Sequence, residues 1–358
     1  MCVGRLIEQV GLTGLAHPLR PRRVLSPARS YHLELDAELM ERIRIVGRTN
    51  GVGIDRDVQL LTDAFDAWTQ RPTFSRYRSI SPLRRWINPP RWIPASDRDG
   101  TILFLERVTT RWLGSARRFV LIPNQERYPE RLVRDLRHVQ HIFCKSAHAR
   151  DIFSRHHRSV HFLGFTSFDR RVAGASPDYD RFFHLGGGSS AKGTITLLEL
   201  WARHPEWPLL TVVWHRRGKM PPIPRNVHII QEYLPDDELR ELQNAHGVHL
   251  CPSLSEGWGH HIVEAMSCHA VAVVTNGAPM NELVRPGRGI LVDAARTQPR
   301  KLGVDHFIDV SLLDHSIDRL IRAPAGEKEA IGRAARQWYD QNHSDFRLRL
   351  QDLWQRLL

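Results

Sequence analysis

Residues 248–293 constrain the fold of this chain more than any other stretch. An apolar run at 248–251 ends in Pro252-Ser253-Leu254-Ser255-Glu256 and a Gly257-Trp258-Gly259 turn, and an apolar helical pattern follows over 260–268. A β-branched run at 271–275 then leads to Asn276-Gly277, a second small-residue turn and Glu282. Strand, glycine turn, helix and strand make one βαβ unit. Such units build parallel sheets that bind ligands at the carboxyl ends of their strands. Two carboxylates belong to that end: Glu256 on the loop entering the helix, and Glu264 within its first two turns. Main-chain N–H groups at a helix N-terminus suit a phosphate. Ionised carboxylates only accept hydrogen bonds, which suits the paired hydroxyls of a ribose or hexose. The segment therefore points to nucleotide-sugar chemistry.

At 358 residues the chain is long for a single core, and its apolar runs divide into two α/β series. The first, over 40–172, has a strand at 43–46, the turn Asn50-Gly51-Val52-Gly53, and a helix that turns Val58, Leu60, Leu61 and Phe65 inward. Apolar runs follow at 102–105, 119–122, 141–144 and 161–164. Residues 71–99, rich in Pro, Arg and Trp, read as one long irregular loop. Trp86, Trp92 and the arginines between them suit either a membrane-surface patch or a cover for the sheet edge. Residues 170–180 read as a linker. The second series, over 173–335, has strands at 182–186, 210–214, 227–230, 248–251, 271–275 and 290–292, with helices at 193–203, 236–245 and 260–268. The tail from Glu327 reads as helix, with 336–358 set apart as a C-terminal helix packing back. The fold class is α/β: two Rossmann-like domains facing across a cleft.

Residues 1–39 include the Pro/Arg-rich PLRPRRVLSPARS, lack apolar periodicity and read as a disordered extension. Met40, where the pattern changes, is the expected natural start. Residues 1–172 carry 30 Lys and Arg against 17 Asp and Glu, whereas 173–358 carry 21 against 22. A basic front half suits an anionic bilayer leaflet or a lipid-diphosphate acceptor, unless it reflects an arginine-rich proteome. No zinc-finger, RNP or basic-zipper pattern points to nucleic acid. No apolar run approaches the ~20 residues of a membrane span. Cys2, Cys144, Cys251 and Cys268 have neither metal nor disulfide spacing, which suits a reducing compartment. The expected location is cytoplasmic, with peripheral contact at the inner face of the plasma membrane.

A second glycine turn, Gly186-Gly187-Gly188-Ser189-Ser190-Ala191-Lys192-Gly193, also follows a strand and opens a helix. Its N–H groups and the Lys192 ammonium suit a phosphate, although the spacing is not that of a Walker loop. Gly51 and Gly53 either approach a diphosphate from the first domain or form an ordinary tight turn. Glu106, the pair Asn124 and Glu126, and Lys145-Ser146 each follow a strand. They are candidates for the acceptor side of the cleft, or else turns and caps. Asp55/Asp57, Asp97/Asp99 and Asp178/Asp180 match Asp-x-Asp but fall at a helix start, a loop and a linker, so no metal site is read from them. The histidines lack the i, i+4 pairing with a carboxylate that marks a zinc hydrolase.

SEGWGHHIVEAMSCHAVAVVTNGAPMNELV resembles the E-x7-E signature of retaining GT-B glycosyltransferases of family four, the glycosyltransferases group 1. GGGSSAKGTITLLELW resembles that family's diphosphate loop, and QEYLPDDELRELQNAHGVHLCPS the helix and strand before the signature. The resemblance covers 173–293 well and 40–172 loosely. It implies GT-B architecture, with 40–172 as acceptor domain and 173–335 as nucleotide-sugar donor domain. It implies retaining hexosyl transfer to a glycan or lipid-linked acceptor, of the kind used in cell-surface polysaccharide biosynthesis. By the same resemblance Glu264 binds the ribose hydroxyls, while Glu256 and the N–H groups of Gly257, Trp258, Gly259 and His260 hold the donor sugar. Lys192, with Gly186, Gly187 and Gly188, neutralises the departing diphosphate, and Gly51 and Gly53 close over it. Lys192 and the helix N-termini meet the leaving-group charge, so neither a metal nor a cofactor beyond the donor is called for.

The chain departs from the family in two places. Gly187 stands where the family carries an arginine five residues before the loop lysine, so a neighbour such as Arg48 or Arg216 would have to substitute. His260-His261 replaces an apolar–proline pair. Two other readings stay open: a nucleotide-sugar epimerase or phosphorylase on the same architecture, and a non-catalytic relative.

Overall fold

The computed structural model describes residues 42–48, 53–76, 99–216 and 218–358. The readings of residues 1–39, of Met40 as the start, of Gly51, of Asp97 and of the loop around Trp86 and Trp92 lie outside the described residues.

The first series folds as β1 (Ile43–Gly47), α1 (Gly53–Asp66), β2 (Thr73–Arg76), β3 (Asp99–Glu106), β4 (Ala116–Pro123), β5 (His141–Cys144), α2 (Ala147–Phe153) and β6 (Val160–Phe162). The strands form a parallel sheet in the order β2-β1-β3-β4-β5-β6. The second series folds as β7 (Asp178–Gly187), α3 (Thr194–Arg203), β8 (Leu210–Trp214), β9 (Val227–Ile230), α4 (Asp236–Ala245) and β10 (His246–Cys251). It continues with α5 (His260–Ser267), β11 (Val271–Asn276), α6 (Met280–Leu283), β12 (Ile290–Arg300), β13 (Gly303–Ile308), α7 (Val310–Arg322) and α8 (Ala325–Leu357). Its sheet runs β13-β12-β11-β10-β7-β8-β9 and is parallel except for the β12–β13 hairpin.

Strand side chains alternate between faces, so a strand covered on both sides must be apolar at every position. In β3, Leu103 and Leu105 enter one cluster while Ile102 and Phe104 enter another. In β11, Val271 and Val273 face one way, and Ala272 and Val274 the other. One cluster belongs to both sheets: it joins Leu60, Leu61 and Phe65 of α1, Ile262 and Met266 of α5, and Phe346, Leu350, Leu353 and Trp354 of α8. The Trp354 ring meets that of Phe65 edge-on at 4.7 Å. The C-terminal helix thus returns to the first sheet as expected, but it is continuous from Ala325.

The 170–180 stretch is not slack. Arg170 is buried, bonding Gln243 Oε1 at 2.8 Å and Asp236 Oδ2 at 2.7 Å, and β7 already begins at Asp178.

In each sheet the chain runs outward in one direction, then returns to the other side of its first strand. The order reverses between β1 and β3, and again between β7 and β10. Ligands bind at the carboxyl ends of strands flanking such a reversal, where the two connections diverge.

Candidate active site

Residues from both reversal points line one cleft of about 700 Å³. Gly53, Arg56, Asp57 and Glu106 come from the first, and Gly186 to Lys192 with Glu256 to His261 from the second.

The glycine loop is tied down by a buried histidine. His184 in β7 places Nδ1 2.7 Å from the Leu250 carbonyl and Nε2 2.8 Å from Thr194 Oγ1. A carbonyl only accepts, so Nδ1 carries the proton and Nε2 receives the hydroxyl. Burial pushes this imidazole down to about 4, which keeps it neutral. Leu254 N donates to Ala191 O at 2.9 Å, linking the loop to the segment that carries Glu256. Lys192 Nζ then reaches Glu256 Oε1 at 2.7 Å and His261 Nδ1 at 3.0 Å. An ammonium only donates, so His261 accepts at Nδ1 and turns Nε2 toward Ser253 Oγ, 3.3 Å away. Burial holds His261 well below its ordinary pKa, and the charges of Lys192 and Arg56 are among those that add to this.

The turn before α5 needs glycine because the other domain approaches it. A Cβ at Gly257 would stand 2.6 Å from Asn124 Cγ. Next to that contact, Gln125 Nε2 donates to the Glu256 main-chain oxygen at 2.9 Å. Trp258 is buried beneath, edge-on to Phe165.

Glu264 is completely buried and is not among the residues lining the cleft. Gln243 Nε2 donates to its Oε2 at 3.2 Å. Arg56 Nη1 stands 2.7 Å from its Oε1, a charge contact in which Oε1 receives no aligned hydrogen bond. The sequence reading had no role for Arg56. Arg48 and Arg216, its candidates to replace the missing loop arginine, do not line the cleft.

A second charged group joins α1 to α5. Asp57, buried, has Oδ2 2.5 Å from Lys145 Nζ and Oδ1 2.9 Å from His260 Nε2, while Ser167 Oγ lies 2.8 Å from His260 Nδ1. Burial opposes the charge on Asp57, but Lys145 and His260 outweigh it and hold the carboxyl below its usual range. The Asp55/Asp57 match is thus half spent on an ion pair. Of the other matches, Asp180 pairs with Lys328 at 2.7 Å. Among the described residues no cluster of three His, Cys, Asp or Glu side chains is placed to hold a metal ion. Ser146 accepts from Ala149 N at 3.0 Å and caps α2, so it serves as the cap that its position allowed.

Glu106, Asn124 and Glu126 all line the cleft. Glu106 ends β3 at φ 64°, a left-handed backbone that non-glycine residues adopt at a cost and that clusters at functional sites. Burial raises its pKa against the pull of Arg127, Arg107 and Lys145. Burial also pushes Glu126 up to about 7, with the nearby charge of Glu256 adding to it. Glu126 Oε2, Asn124 Oδ1 and Gln125 Oε1 are buried without hydrogen-bond partners among the described residues. Such orphaned acceptors can take hydroxyl donors from a ligand.

The β12–β13 hairpin was not anticipated, since the strand expected at 290–292 runs on to Arg300. Arg300 lines the cleft, held by Asp305 at 3.1 Å, and Leu302 packs into the outer cluster of the first sheet. Glu282 makes another bridge. Its two carboxylate oxygens accept from Ala147 N at 2.7 Å and His148 N at 2.8 Å, at the start of α2. Among the described residues no helix is long and apolar enough to cross a membrane.

Comparison with known proteins agrees with this geometry. Residues 223–337 match the family model described as glycosyl transferases group 1. HepE of Anabaena, solved with UDP and glucose, is 14% identical, with 88% of this chain and 100% of that chain covered at a TM-score of 0.67. Sucrose-phosphate synthase of Thermosynechococcus elongatus is 14% identical over 88% of this chain and 99% of its own, with a TM-score of 0.65. WaaG, a glycosyltransferase involved in lipopolysaccharide biosynthesis, is 14% identical over 87% and 99%, with a TM-score of 0.60. No curated protein matches the chain by sequence. The architecture is GT-B, two Rossmann-like sheets about one cleft. The likeness to the glycosyl transferases group 1 rests on residues 223–337, in the half of the chain that carries the second sheet.

Proposed function

We propose that the protein moves a hexosyl unit, with retention of anomeric configuration, from a nucleotide-sugar donor to a hydroxyl of a glycan or lipid-linked acceptor. The observation that carries this reading is the Lys192–Glu256 pair at the mouth of α5, lining the same cleft as the orphaned acceptors of Asn124 and Glu126, which approach it from the other half. As the glycosidic bond breaks, negative charge grows on the departing nucleoside diphosphate. Lys192 and the N-termini of α3 and α5 offer fixed positive charge to stabilise it, with no metal in the scheme. Glu264 takes the ribose hydroxyls and Glu256 those of the donor sugar. Gly53, Gly186, Gly187, Gly188, Gly257, Trp258, Gly259 and His260 form the donor wall, and Glu106, Asn124 and Glu126 the acceptor side. HepE was solved with UDP-glucose, which makes UDP-sugars the first donors to try. The basic balance of the first half supports peripheral docking on an anionic membrane face, where a lipid-linked acceptor would be met.

Titration calorimetry with UDP, ADP, GDP and TDP, followed by a transfer assay, tests the reading. Glu264→Ala should weaken nucleotide binding and Glu256→Ala should mainly lower turnover. Wild-type transfer by both variants would refute it. Gly187 in place of the family arginine favours one second reading, a relative that binds without turnover. Tight nucleotide binding with no transfer to any acceptor would select that one.

A further inference from the structure

The two signature carboxylates are each met by a cation, and the cations come from different domains. Lys192, on the donor-domain loop, lies 2.7 Å from Glu256. Arg56, on the first turn of α1, lies 2.7 Å from Glu264. Both cations line the same cleft and both bear on His261. A nucleotide sugar offers hydroxyls to the carboxylates and a diphosphate to the cations, so both pairs can exchange partners when it enters.

Building on the donor reading above, we propose that Arg56 is the second cation of the diphosphate site and fills the role of the arginine missing at Gly187. Four observations carry this. Gly187 has a positive φ of 53°, and no atom of the described residues lies within 4 Å of where its side chain would begin, so none of them occupies that place. Among the described arginines that line the cleft, Arg127 leans on Glu126 at 3.6 Å and Arg300 is fixed to Asp305, whereas Arg56 alone touches a signature carboxylate. That touch lacks hydrogen-bond alignment at Glu264 Oε1, so the guanidinium spends little directional bonding there. Finally, α1 starts beside the β1/β3 reversal, and only 16% of the Arg56 side chain is exposed. A planar guanidinium matches phosphate geometry in a way a lysine does not. Arg56 therefore links donor occupancy to the position of the acceptor domain: the phosphate that draws it in also draws in α1.

The test is calorimetry on the full chain with two probes, a nucleoside diphosphate and the matching free nucleoside, for wild type, Arg56→Gln and Arg56→Lys. Arg56→Gln should weaken UDP binding by about tenfold or more, the scale of one charge-assisted bond lost. Uridine binding should be unchanged or tighter, because Glu264 loses a competitor. Arg56→Lys should recover part of the UDP affinity. A merely structural role would weaken both probes together, and that outcome overturns the assignment. So does equal UDP binding by wild type and Arg56→Gln. If wild type binds none of UDP, ADP, GDP and TDP, the donor reading itself falls and takes the Arg56 assignment with it.

Discussion

Gln125 Nε2 holds the main-chain oxygen of Glu256 at 2.9 Å, so a side chain just beyond β4 fixes the backbone of a carboxylate in the other domain. The Glu256 side chain is fixed separately, by Lys192. Backbone placement and side-chain charge can therefore be varied independently. Glu256→Gln keeps the first and removes the second. It should lower kcat by about 100-fold, the usual scale for losing one oriented electrostatic contact, with little change in KM or thermal midpoint. Steady-state kinetics with a UDP-sugar and a thermal melt check this.

Gly257 is pressed against Asn124. Gly257→Ala forces a shift where the two halves touch beside the cleft. A misplacement of this size should cost on the order of tenfold to 100-fold in kcat/KM. Adding Asn124→Ala should return part of the loss, since the clash is with that side chain. The double-mutant kinetics are the check.

Glu126 should make stability depend on pH. Its carboxyl titrates at about 7 in the fold, against an ordinary 4.5, because burial favours the neutral form. Between those values the native state holds a proton that the unfolded chain has released. Stability therefore falls as pH rises through this window and levels off above it. Glu126→Gln cannot ionise and should lose this slope, gaining on wild type by on the order of 2–3 kcal/mol between about pH 5 and about pH 8. Urea unfolding at the two pH values measures it.

Trp354 ties the last turns of α8 to Phe65 of α1 within the cluster shared by both sheets. Trp354→Ala should cost about 3–5 kcal/mol, the range for deleting a buried aromatic side chain. Guanidinium unfolding monitored by circular dichroism checks the loss.

Most strands were legible because a sheet covered on both faces demands uninterrupted apolar runs. The runs at 119–122 and 271–275 fall within β4 and β11 for that reason. Strands without that cover left no such mark. In β2 the side chains of Thr73, Phe74 and Arg76 are exposed, and β12 beyond Val292 is polar because it leaves the core to pair with β13. That Glu256 and Lys192 stand at strand ends beside glycine turns could be read from the sequence, and both line the cleft. Arg56 and Asp57 could not, since on a helix start they look like any solvated pair. Only the tertiary approach of α1 to α5 brings them to Glu264 and His260. That approach depends on residues 203 to 208 positions away in sequence, which no local pattern encodes.

Glu282 belongs to the second α/β series, yet its carboxylate closes the first turn of α2 in the first. Each half is thus folded partly with atoms of the other, and the halves are not interchangeable parts. A chimera that joins this first half to a foreign second half inherits α2 with two main-chain donors unmet unless a carboxylate is supplied at the same place. Recombination between members of this fold is therefore constrained at residue 282 as well as at the junction where the two halves are spliced.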